Sequence, residues 1–584
     1  MSRSLTLGLF APLALTLALN LAGCAATSTS PTIAAPAPVN SPSGPDRAVF
    51  ENGMVSAADP RAAEAGARIL RQGGSATDAA IATMLALTVV EPQSSGIGGG
   101  GFLLLADEQG RIESWDGRET APAAATPRRF LDASGQPLPF RTAVIGGRSV
   151  GVPGSIALAA SAHAAHGRLP WATLFQPAIE LARDGFVLSR RGHDALANSA
   201  QTGAHDPQAR AIFYGVDGKP LPLGTTIRNP ALAGTLEMLA AKGADGFYKG
   251  ELAREIATKV AAQTPADGKM TEADIAGFAA RQRPGLCAKY RVYRICSMGP
   301  PSSGATTVLA TLVQLEGFDL AALGPDSAEA WHLIAESQRL AYADRDLFLA
   351  DPDFVPVPVK ALLDPAYLRR RGALISADRA MTTVTAGLPA PGLALGEGPE
   401  EHGTSHFVVI DRQGNAASWT STIESAFGSG LMAGGFYLNN ELTDFSFVPE
   451  KDGVPVANRV QGGKRPRSSM APTLVYGPDG KLLFVVGAAG GATIPVQVTR
   501  ALIGVLDWKL PVDKALELPV LFAPGDTVNV EKGSRLEAMI PALTALGHPV
   551  KAAQMPLKTN AIAVVDGRLA GAGDPRSEGV AVGE

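Results

Sequence analysis

The sequence is poor in cysteine and has no sustained run of basic residues. Three cysteines occur among its 584 residues, and the formal net charge is −4. This charge balance gives no reason to expect nucleic acid or an anionic membrane surface as a partner. No segment repeats with a period of roughly 20–50 residues, which argues against solenoids and propellers. A hydrophobic content of 46% with 18% charged residues indicates a folded globular protein rather than a disordered one.

The first residues have the pattern of an export signal. Arg3 is the only charged residue before the apolar run of residues 5–19, and Leu21-Ala22-Gly23-Cys24 follows. A membrane-spanning helix is the alternative, because the run is nearly long enough to cross a bilayer. Pro12 interrupts the run, however, and no charged flank follows it, so the pattern favours a cleaved leader.

Residues 21–24 resemble the bacterial lipoprotein box. The resemblance implies a lipoprotein signal peptide at residues 1–24, with Cys24 lipidated and exposed as the mature N-terminus. Ala25 in place of Asp implies, by the same resemblance, the outer membrane as destination. Residues 25–46 are rich in Ala, Ser, Thr and Pro and are predicted to form a disordered tether. We therefore expect an exported, periplasmic protein that meets the membrane through a lipid anchor only.

The other two cysteines, Cys287 and Cys296, bracket an alternating segment rich in aromatic and β-branched residues. A hairpin turning at Arg291-Val292 would place them opposite each other, and an exported protein permits a disulfide there. The turn lacks the Gly or Asn that fixes such a register, so two free core thiols are the alternative. Neither the spacing nor a neighbouring histidine indicates a metal site.

Hydrophobic periodicity predicts helices through most of the chain before residue 404 and mainly strands after it. Helices are predicted at residues 62–73, 75–90, 229–243, 327–349, 496–503 and 536–546. Strands are predicted at residues 405–411, 416–422, 435–438, 473–476 and 481–486. By itself this pattern indicates only an α/β or α+β protein.

Thr404 stands between Gly403 and an apolar, β-rich run, at the start of a predicted hairpin. A threonine hydroxyl can cut the preceding Gly403–Thr404 bond and leave Thr404 as a new N-terminus. The hydroxyl would then be the nucleophile and the freed α-amine its general base. A free α-amine titrates near pH ~7.7–8.0, which suits base catalysis near neutrality. Taken alone, the motif also fits an ordinary threonine at a strand start.

Further motifs are spread along the chain. In order, they are Gly98-Gly99-Gly100-Gly101-Phe102, Asp116-Gly117-Arg118-Glu119-Thr120-Ala121-Pro122, Val152-Pro153-Gly154, Pro300-Pro301-Ser302-Ser303-Gly304, Tyr342-Ala343-Asp344-Arg345, Asp351-Pro352-Asp353, Asn439-Asn440-Glu441-Leu442-Thr443-Asp444-Phe445, Lys464-Arg465-Pro466, Ser468-Ser469-Met470, Gly490-Gly491 and Asp574-Pro575-Arg576. Together with the stretch that begins at Thr404, this order resembles the γ-glutamyltransferases (glutathione hydrolases), which are N-terminal-nucleophile hydrolases. The resemblance covers essentially everything after residue 45.

The resemblance implies an α+β fold, the four-layer αββα sandwich. It implies self-cleavage between Gly403 and Thr404 into a large subunit, residues 47–403, and a small catalytic subunit, residues 404–584. The two would pair as a heterodimer. Substrates would be γ-glutamyl compounds such as glutathione, whose acyl group passes through a Thr404 ester to water or to an amine. No cofactor and no metal is implied.

A γ-glutamyl substrate carries an α-carboxylate, which needs a cationic partner. Arg118 is expected to bind this carboxylate, because a guanidinium pairs a carboxylate through two parallel hydrogen bonds. Ser468 and Ser469 can add hydroxyl donors to the same group. Without the motifs around them, a surface arginine and two loop serines would be the simpler interpretation.

The α-ammonium of the same substrate needs an acidic pocket, for which Glu424, Glu441 and Asp444 are the candidates. Three acids that converge in a dry site repel one another unless a cation is bound, which favours an aminated substrate. Many relatives have amides at the first two positions, so acids here are expected to strengthen ammonium binding. The acylase branch of the superfamily tends to lose the acid at this position, so the resemblance implies that Asp444 favours a γ-glutamyl substrate over the substrates of acylases. Three unrelated, solvated acids are the alternative.

Gly490 and Gly491 are expected to form the oxyanion hole, because glycine lets backbone N–H groups approach a substrate closely. Thr422 is expected to hydrogen-bond the Thr404 α-amine and hold it as the base. His406 is a weaker candidate for that base, since strand alternation would place it on the Thr404 face.

Two rival functions remain open from the sequence. One is an acylase for other amides, such as glutaryl or β-lactam side chains. The other is a lipid-tethered protein that binds γ-glutamyl peptides without cleaving them, which would need no cut at Gly403–Thr404. Residues 447–464 are a candidate flap over the site.

Overall fold

The computed structural model describes residues 48–265, 268–389, 392–396 and 403–584. The predicted leader, Cys24 and the tether of residues 25–46 lie outside the described residues, as does part of the loop before Gly403. In the described part of the chain, no helix is long and apolar enough to cross a bilayer.

Two seven-stranded antiparallel sheets form the centre of the protein. The first contains, in spatial order, strands Ala48–Phe50, Arg568–Gly573, Lys558–Val565, Leu482–Ala489, Thr473–Tyr476, Tyr293–Ser297 and Leu286–Tyr290. The second contains Val580–Gly583, Met54–Ala57, Ser405–Ile410, Ala416–Thr422, Gly100–Ala106, Ile112–Asp116 and Arg281–Arg283. Both sheets therefore combine strands from before and after residue 404.

Shorter strands lie outside these sheets. They are Phe186–Val187 with Thr226–Ile227, Met432–Ala433 with Phe436–Tyr437, Glu450–Lys451 with Val454–Pro455, and the three-stranded set Leu521–Phe522, Val528–Glu531 and Val550–Ala553. The 3₁₀ turns are Gly147–Ser149, Leu315–Gly317, Glu441–Asp444, Gly491–Thr493 and Arg535–Met539. Two of these turns, those that begin at Glu441 and Gly491, carry predicted site residues.

Helices flank the sheets. Before residue 404 they are Pro60–Arg71, Ala76–Val90, Phe140–Val144, Ser155–His166, Trp171–Asp184, Arg190–Asn198, Ala200–Gly203, Pro207–Phe213, Pro230–Lys242, Asp245–Tyr248, Glu251–Ala262, Glu272–Ala276, Gly304–Gln314, Leu320–Leu323, Ala328–Phe348, Val359–Leu362 and Pro365–Gly372. After it they are Ile494–Leu506, Val512–Glu517 and Ile540–Ala545. A capping box begins the helix Ala76–Val90. The Ser75 hydroxyl accepts from the Asp78 N–H, and the Asp78 carboxylate accepts from the Ser75 N–H.

Three hydrophobic cores define four layers. Val408 and Ile410 from one sheet meet Val485 and Ile562 from the other between the sheets. The outer face of the second sheet packs against helices such as Ala76–Val90, and that of the first sheet packs against helices such as Ile494–Leu506. Each large apolar side chain buried in this way stabilises the fold by about 1.5–3 kcal/mol. The predicted four-layer αββα sandwich is confirmed.

The two predicted hairpins form, and the one between Cys287 and Cys296 has the predicted register. Ser405 lies opposite Ser421 and Ile410 opposite Ala416. Cys287 lies opposite Cys296, and a disulfide joins them, which is one of the two alternatives that the sequence left open. Arg291 provides the left-handed turn residue, with φ of 53°, that Gly or Asn would usually supply.

The predicted single helix at residues 536–546 is wrong. A 3₁₀ turn, Arg535–Met539, is followed by a separate short helix, Ile540–Ala545. Pro541 is the reason, because a proline has no N–H for the helical ladder and is tolerated only in the first turn of a new helix.

Candidate active site

The Gly403–Thr404 peptide enters the second sheet just before strand Ser405–Ile410. The Thr404 side chain is nearly buried, with 6% exposure. Its hydroxyl Oγ1 contacts the carbonyl oxygen of Gly403 and lies 3.3 Å from Oγ1 of Thr422 on the neighbouring strand. The nucleophile predicted from the sequence therefore lies directly against the bond that it would cut.

Thr422 holds the same carbonyl from the other side. Its hydroxyl donates to the Gly403 oxygen at 2.9 Å and accepts from the N–H of Glu424 at 2.8 Å. In this uncut chain the nitrogen of Thr404 is an amide, so the predicted contact between Thr422 and an α-amine belongs to the cleaved form. What the uncut chain contains is a hydroxyl donor on the Gly403 carbonyl.

Gly403 is required by close packing. A Cβ at this position would come within 2.1 Å of the carbonyl oxygen of Glu424. Glu424 itself has φ of 75°, a left-handed conformation that is uncommon for a non-glycine residue. The turn at Glu424 therefore brings its backbone against the bond between Gly403 and Thr404.

Arg118 and two of the predicted acids meet directly. The Arg118 guanidinium forms ion pairs with Glu441 and Asp444, and all three side chains are buried. It also donates to the carbonyl oxygens of Pro466 at 3.2 Å and Arg467 at 3.0 Å. The predicted carboxylate and ammonium pockets are therefore not separate, and Arg118 itself supplies a cation that offsets the repulsion between the acids.

Two asparagines connect these acids to the rest of the site. Asn439 donates to the carbonyl oxygens of Gly98 at 2.8 Å and Gly151 at 2.9 Å. It thereby joins the glycine motif that begins at Gly98, and the residue before the Val152-Pro153-Gly154 motif, to the Glu441 turn. Asn440 donates to Glu424 Oε2 at 2.9 Å. A continuous set of contacts thus runs from the Gly403–Thr404 bond through Glu424 to the acids that hold Arg118.

Glu119 was not assigned a role from the sequence, although it lies in the same motif as Arg118. It is fully buried and faces Glu441. Burial, opposed by the charge of Arg118, raises the pKa of Glu119 to about 8. Near neutral pH the group is therefore protonated, so the acidic cluster carries less negative charge than its composition suggests.

Ser468 and Ser469 lie in a second cluster of motifs. The Ser468 carbonyl accepts from Ser303 N–H at 2.7 Å, and the Ser469 hydroxyl accepts from Arg345 Nη2 at 2.7 Å. Arg345 Nε also donates to the Ser303 hydroxyl at 3.0 Å. Arg345 is thus another residue that the sequence marked only as part of a motif, and it orients the serine predicted to contact substrate.

Gly490 and Gly491 form the turn between strand Leu482–Ala489 and helix Ile494–Leu506. Their φ angles are 127° and 58°, and a Cβ on Gly490 would come within 2.1 Å of the Pro556 carbonyl oxygen. Only glycine fits both the conformation and the space. The turn stands at the N-terminal end of a helix, where backbone N–H groups favour negative charge.

Among the residues that the structure describes, no hydrogen bond joins the His406 ring to Thr404. Its Nδ1 lies 2.9 Å from the Thr420 hydroxyl, and the ring packs against Gly487 between the sheets. Burial lowers the pKa of His406 to about 3, which keeps the imidazole neutral. The position is that of a core side chain.

A buried lysine at its end helps to hold the predicted flap of residues 447–464 in place. Lys464 Nζ donates to the carbonyl oxygens of Ala457 at 2.7 Å and Arg459 at 3.0 Å, and burial lowers its pKa to about 7. Asn458 donates to the Asp444 carbonyl oxygen at 2.6 Å. The flap is therefore connected to the Arg118 and Asp444 cluster.

This arrangement fits acyl transfer by a hydroxyl nucleophile. A hydroxyl lies on a carbonyl that a second hydroxyl polarises, next to a buried cluster of one guanidinium and several carboxyl groups. On this fold, these features define an N-terminal-nucleophile hydrolase. A family model described as Gamma-glutamyltranspeptidase matches residues 62–584, so the chain belongs to the γ-glutamyltransferase family.

Relatives of two activity classes are similar to this chain. The glutathione hydrolase proenzyme of Escherichia coli (strain K12) is 38% identical over 548 residues, covering 90% of this chain and 91% of that protein. The acylase ACY 1 proenzyme of Pseudomonas sp. (strain SE83) is 36% identical over 539 residues, covering 91% and 93%. The crystal structure of cephalosporin acylase from Bacillus halodurans superposes with a TM-score of 0.82 at 27% identity, covering 94% and 99%.

Proposed function

We propose that this protein is a self-processing γ-glutamyltransferase and glutathione hydrolase that works through a γ-glutamyl ester of Thr404. The observation that carries the proposal is the contact of the Thr404 hydroxyl with the Gly403 carbonyl, which Thr422 polarises at 2.9 Å. Membership of the γ-glutamyltransferase family gives the reaction class. The residue roles below are part of the proposal.

Self-cleavage begins when Thr404 Oγ1 attacks the Gly403 carbonyl carbon. The carbon–oxygen bond forms, the hydroxyl proton passes to the departing nitrogen, and the carbon–nitrogen bond breaks, leaving an ester. Water then hydrolyses this ester and releases Gly403 as a carboxylate. The Thr422 hydroxyl donates to the oxygen on which negative charge develops, which stabilises the tetrahedral intermediate.

Turnover repeats this chemistry on a substrate amide. The freed Thr404 amine takes the hydroxyl proton, and Oγ1 attacks the γ-carbonyl carbon while Gly490 and Gly491 bind the oxyanion through N–H groups. The leaving amine takes the proton and departs. Water, or the amine of an amino acid or peptide, then attacks the ester and regenerates Thr404.

The substrate α-groups compete with existing ion pairs. An incoming α-carboxylate can bind the Arg118 guanidinium and the Ser468 and Ser469 hydroxyls. The carboxylates of Glu441 and Asp444 then pair with the substrate α-ammonium in place of part of their contact with Arg118. Exchange of one set of buried ion pairs for another avoids leaving a charge without a partner.

The two subunits would remain together after cleavage. Strand Ser405–Ile410 pairs with Met54–Ala57, and Ala416–Thr422 pairs with Gly100–Ala106. In the other sheet, Thr473–Tyr476 pairs with Tyr293–Ser297. Because main-chain ladders join residues 47–403 to 404–584 in both sheets, a tight heterodimer is expected.

An acylase for other amides is the second candidate, and relatives of that class give it support. The ion pair between Arg118 and Asp444 favours the γ-glutamyl reaction, because it supplies partners for both α-groups of the substrate. A glutaryl amide lacks only the α-amine, so it would leave the acids without their cation. The ratio of kcat/KM for γ-glutamyl and glutaryl p-nitroanilide distinguishes the two candidates.

A binding protein without catalysis is tested at the same time. Release of p-nitroaniline from the γ-glutamyl compound by wild-type protein, and none by Thr404→Ala, supports an enzyme that uses this nucleophile. Absence of release by a fully folded wild-type protein, on both anilides, would favour the binding protein.

The lipid anchor at Cys24 and the periplasmic, outer-membrane location are also proposals, supported by the lipoprotein-box resemblance of residues 21–24. Cells fed labelled palmitate should incorporate label into wild-type protein and none into Cys24→Ser. Labelling of both variants, or of neither, would contradict the anchor.

A further inference from the structure

Ser405, the residue after the proposed nucleophile, contacts a buried ion pair. Its hydroxyl donates to Glu91 Oε2 at 2.6 Å and accepts from Lys558 Nζ at 3.2 Å. Lys558 Nζ and Glu91 Oε2 are themselves 2.9 Å apart, with side-chain exposures of 2% and 3%. Two opposite charges that are almost completely removed from water thus meet at the first residue of the nucleophile strand.

Burial of this pair has a cost. Each ion loses its hydration, and the attraction between them offsets that loss only when the geometry is good and the remaining atoms are hydrogen-bonded. In proteins generally, well-packed apolar residues of similar volume often stabilise a core as well as a buried ion pair does. Stability alone is therefore a weak reason for a lysine and a glutamate at this place, and the groups that they contact indicate another role.

The residues around this ion pair belong to several of the segments that form the candidate site. Lys558 lies opposite Ala489, which directly precedes the turn at Gly490. On the other side, Lys558 Nζ lies 3.5 Å from the Ser94 hydroxyl, and the Ser94 carbonyl accepts from the Ile423 N–H at 3.3 Å. The lysine therefore lies among the nucleophile strand, the strand before the glycine turn and the segment that follows Thr422.

We propose that Glu91 and Lys558 are positioning residues, which act through Ser405 to fix the start of the nucleophile strand so that Thr404 Oγ1 meets the Gly403 carbonyl. The inference rests on the proposed function, in which Thr404 is the nucleophile. Because Glu91 comes from the large-subunit part of the chain and Lys558 from the small one, the pair also spans the two subunits after cleavage. It is expected to affect both self-cleavage and turnover.

The charge state of the pair follows from its neighbours. Burial lowers the pKa of Lys558 to about 8, against the opposing charge of Glu91. Burial alone would raise the pKa of Glu91, but Lys558, Arg191 and the Ser405 hydrogen bond outweigh it and hold the pKa below its ordinary value. Among the described residues, the other charged groups that act on the pair are Arg191, with Nε 3.6 Å from Glu91, and Asp59 and Arg61, which are paired with each other. Both members are thus ionised at pH 7, and Lys558 loses its proton as the pH rises through about 8.

Ser405→Ala is the mildest test, because it removes only the hydroxyl that connects the ion pair to the strand. The matched control is Ser421→Ala, which removes a buried hydroxyl directly opposite in the same hairpin that has no hydrogen-bond partner among the described residues. We expect self-cleavage of Ser405→Ala to be roughly 10- to 100-fold slower than wild type, since small displacements of a nucleophile have effects of that size. Its kcat should fall with little change in KM, and the control should behave as wild type.

The pH dependence gives a readout that a purely structural role would not change. The uncut precursor has no α-amine at Thr404, so the alkaline titration of that group is absent from self-cleavage. The ratio of the wild-type to the Ser405→Ala cleavage rate should therefore fall towards one as the pH rises through about 8, where Lys558 becomes neutral. A ratio that stays constant from pH 7 to pH 9 would overturn the proposed role of the lysine charge.

Variants of the ions separate positioning from stability. Lys558→Met should slow self-cleavage and lower Tm, because it leaves the Glu91 carboxylate without its main partner. Adding Glu91→Leu should restore Tm while cleavage stays slow. Recovery of both Tm and cleavage in the double variant would show a merely structural pair and contradict the proposal.

Failure of the inference is distinguishable from failure of the proposed function. If Thr404→Ala still splits into two chains, the proposed nucleophile is wrong. If cleavage depends on Thr404 but Ser405→Ala cleaves and turns over at wild-type rates, only the positioning role is overturned.

Discussion

The Thr422 hydroxyl donates a hydrogen bond of 2.9 Å to the carbonyl oxygen of Gly403, the residue that precedes the proposed nucleophile. During attack by Thr404 this oxygen becomes negatively charged, and the hydrogen bond then strengthens. In the proposed mechanism this side chain has two successive partners, the Gly403 carbonyl before cleavage and the Thr404 α-amine after it.

Thr422→Val should slow self-cleavage strongly while keeping the shape of the side chain. Loss of one oxyanion donor typically costs about 10²- to 10³-fold in rate. Thr422→Ser, which keeps the hydroxyl, is the control and should cleave at a rate near wild type. The fraction of uncut chain over time on denaturing gels measures both, and equal rates for Val and Ser variants would remove Thr422 from the mechanism.

Arg118→Ala should raise the activation free energy for γ-glutamyl p-nitroanilide by about 2–5 kcal/mol, which lowers kcat/KM accordingly. The substrate α-carboxylate loses its partner, and Glu441 and Asp444 lose theirs in the free enzyme. Rates should be normalised to the cleaved fraction of each preparation. Arg118→Lys restores a charge without the two-bond geometry and should recover activity only in part. Near-wild-type hydrolysis by the alanine variant would rule out the carboxylate pocket.

Asp444→Asn should reduce the preference for a γ-glutamyl over a glutaryl amide. A hydrogen bond to a charged group contributes about 1.5–3 kcal/mol, so the kcat/KM ratio should fall about 10- to 100-fold. Asp452→Asn, in an exposed turn of the flap, should leave the ratio unchanged. A wild-type enzyme that already accepts both amides equally would mean that the acids are not an ammonium site.

Glu119 should make the free energy of unfolding fall as pH rises. Its pKa is about 8 in the folded protein and about 4.3 in an unfolded chain, so between these values only the folded state keeps the proton. Proton binding therefore stabilises the folded state, and the free energy of unfolding decreases from about pH 4.5 to pH 8.

Glu119→Gln cannot ionise, so it should remove this part of the pH dependence. Denaturant unfolding at pH 5, 6.5 and 8, in a Thr404→Ala background so that one chain unfolds, compares the two proteins. At pH 8 the free energy of unfolding of the variant should exceed that of its parent by roughly 4–5 kcal/mol. The exposed Glu237→Gln serves as control, and parallel pH curves for parent and Glu119→Gln would contradict the raised pKa.

Local features of the fold followed well from the sequence. The hairpin of residues 405–422 was readable because alternating buried strands and a polar turn are determined by neighbours in the chain. The helix that begins after Ser75 was readable from its capping box, and the helix of residues 230–242 from Asn229 and Pro230. At residues 535–545 the hydrophobic spacing looked helical throughout, but Pro541 divided the segment.

Contacts between distant residues did not follow from the sequence. The ion pair of Arg118 with Glu441 joins positions 323 residues apart, and that of Lys558 with Glu91 joins positions 467 apart. No local period specifies such a pair, and for Lys558 no motif drew attention to it. For Glu119, the motif was visible, but its burial against Glu441 depends on tertiary packing that spacing alone does not give.

The intact mass of the purified wild-type protein under denaturing conditions tests the central claim most directly. The account predicts two chains, of which the smaller has the mass of residues 404–584 with an unblocked Thr404 at its N-terminus. Thr404→Ala, purified in the same way, should give one uncut chain without activity. A single uncut wild-type chain that hydrolyses γ-glutamyl amides, or a Thr404→Ala variant that still separates into two chains at this bond, would contradict the account.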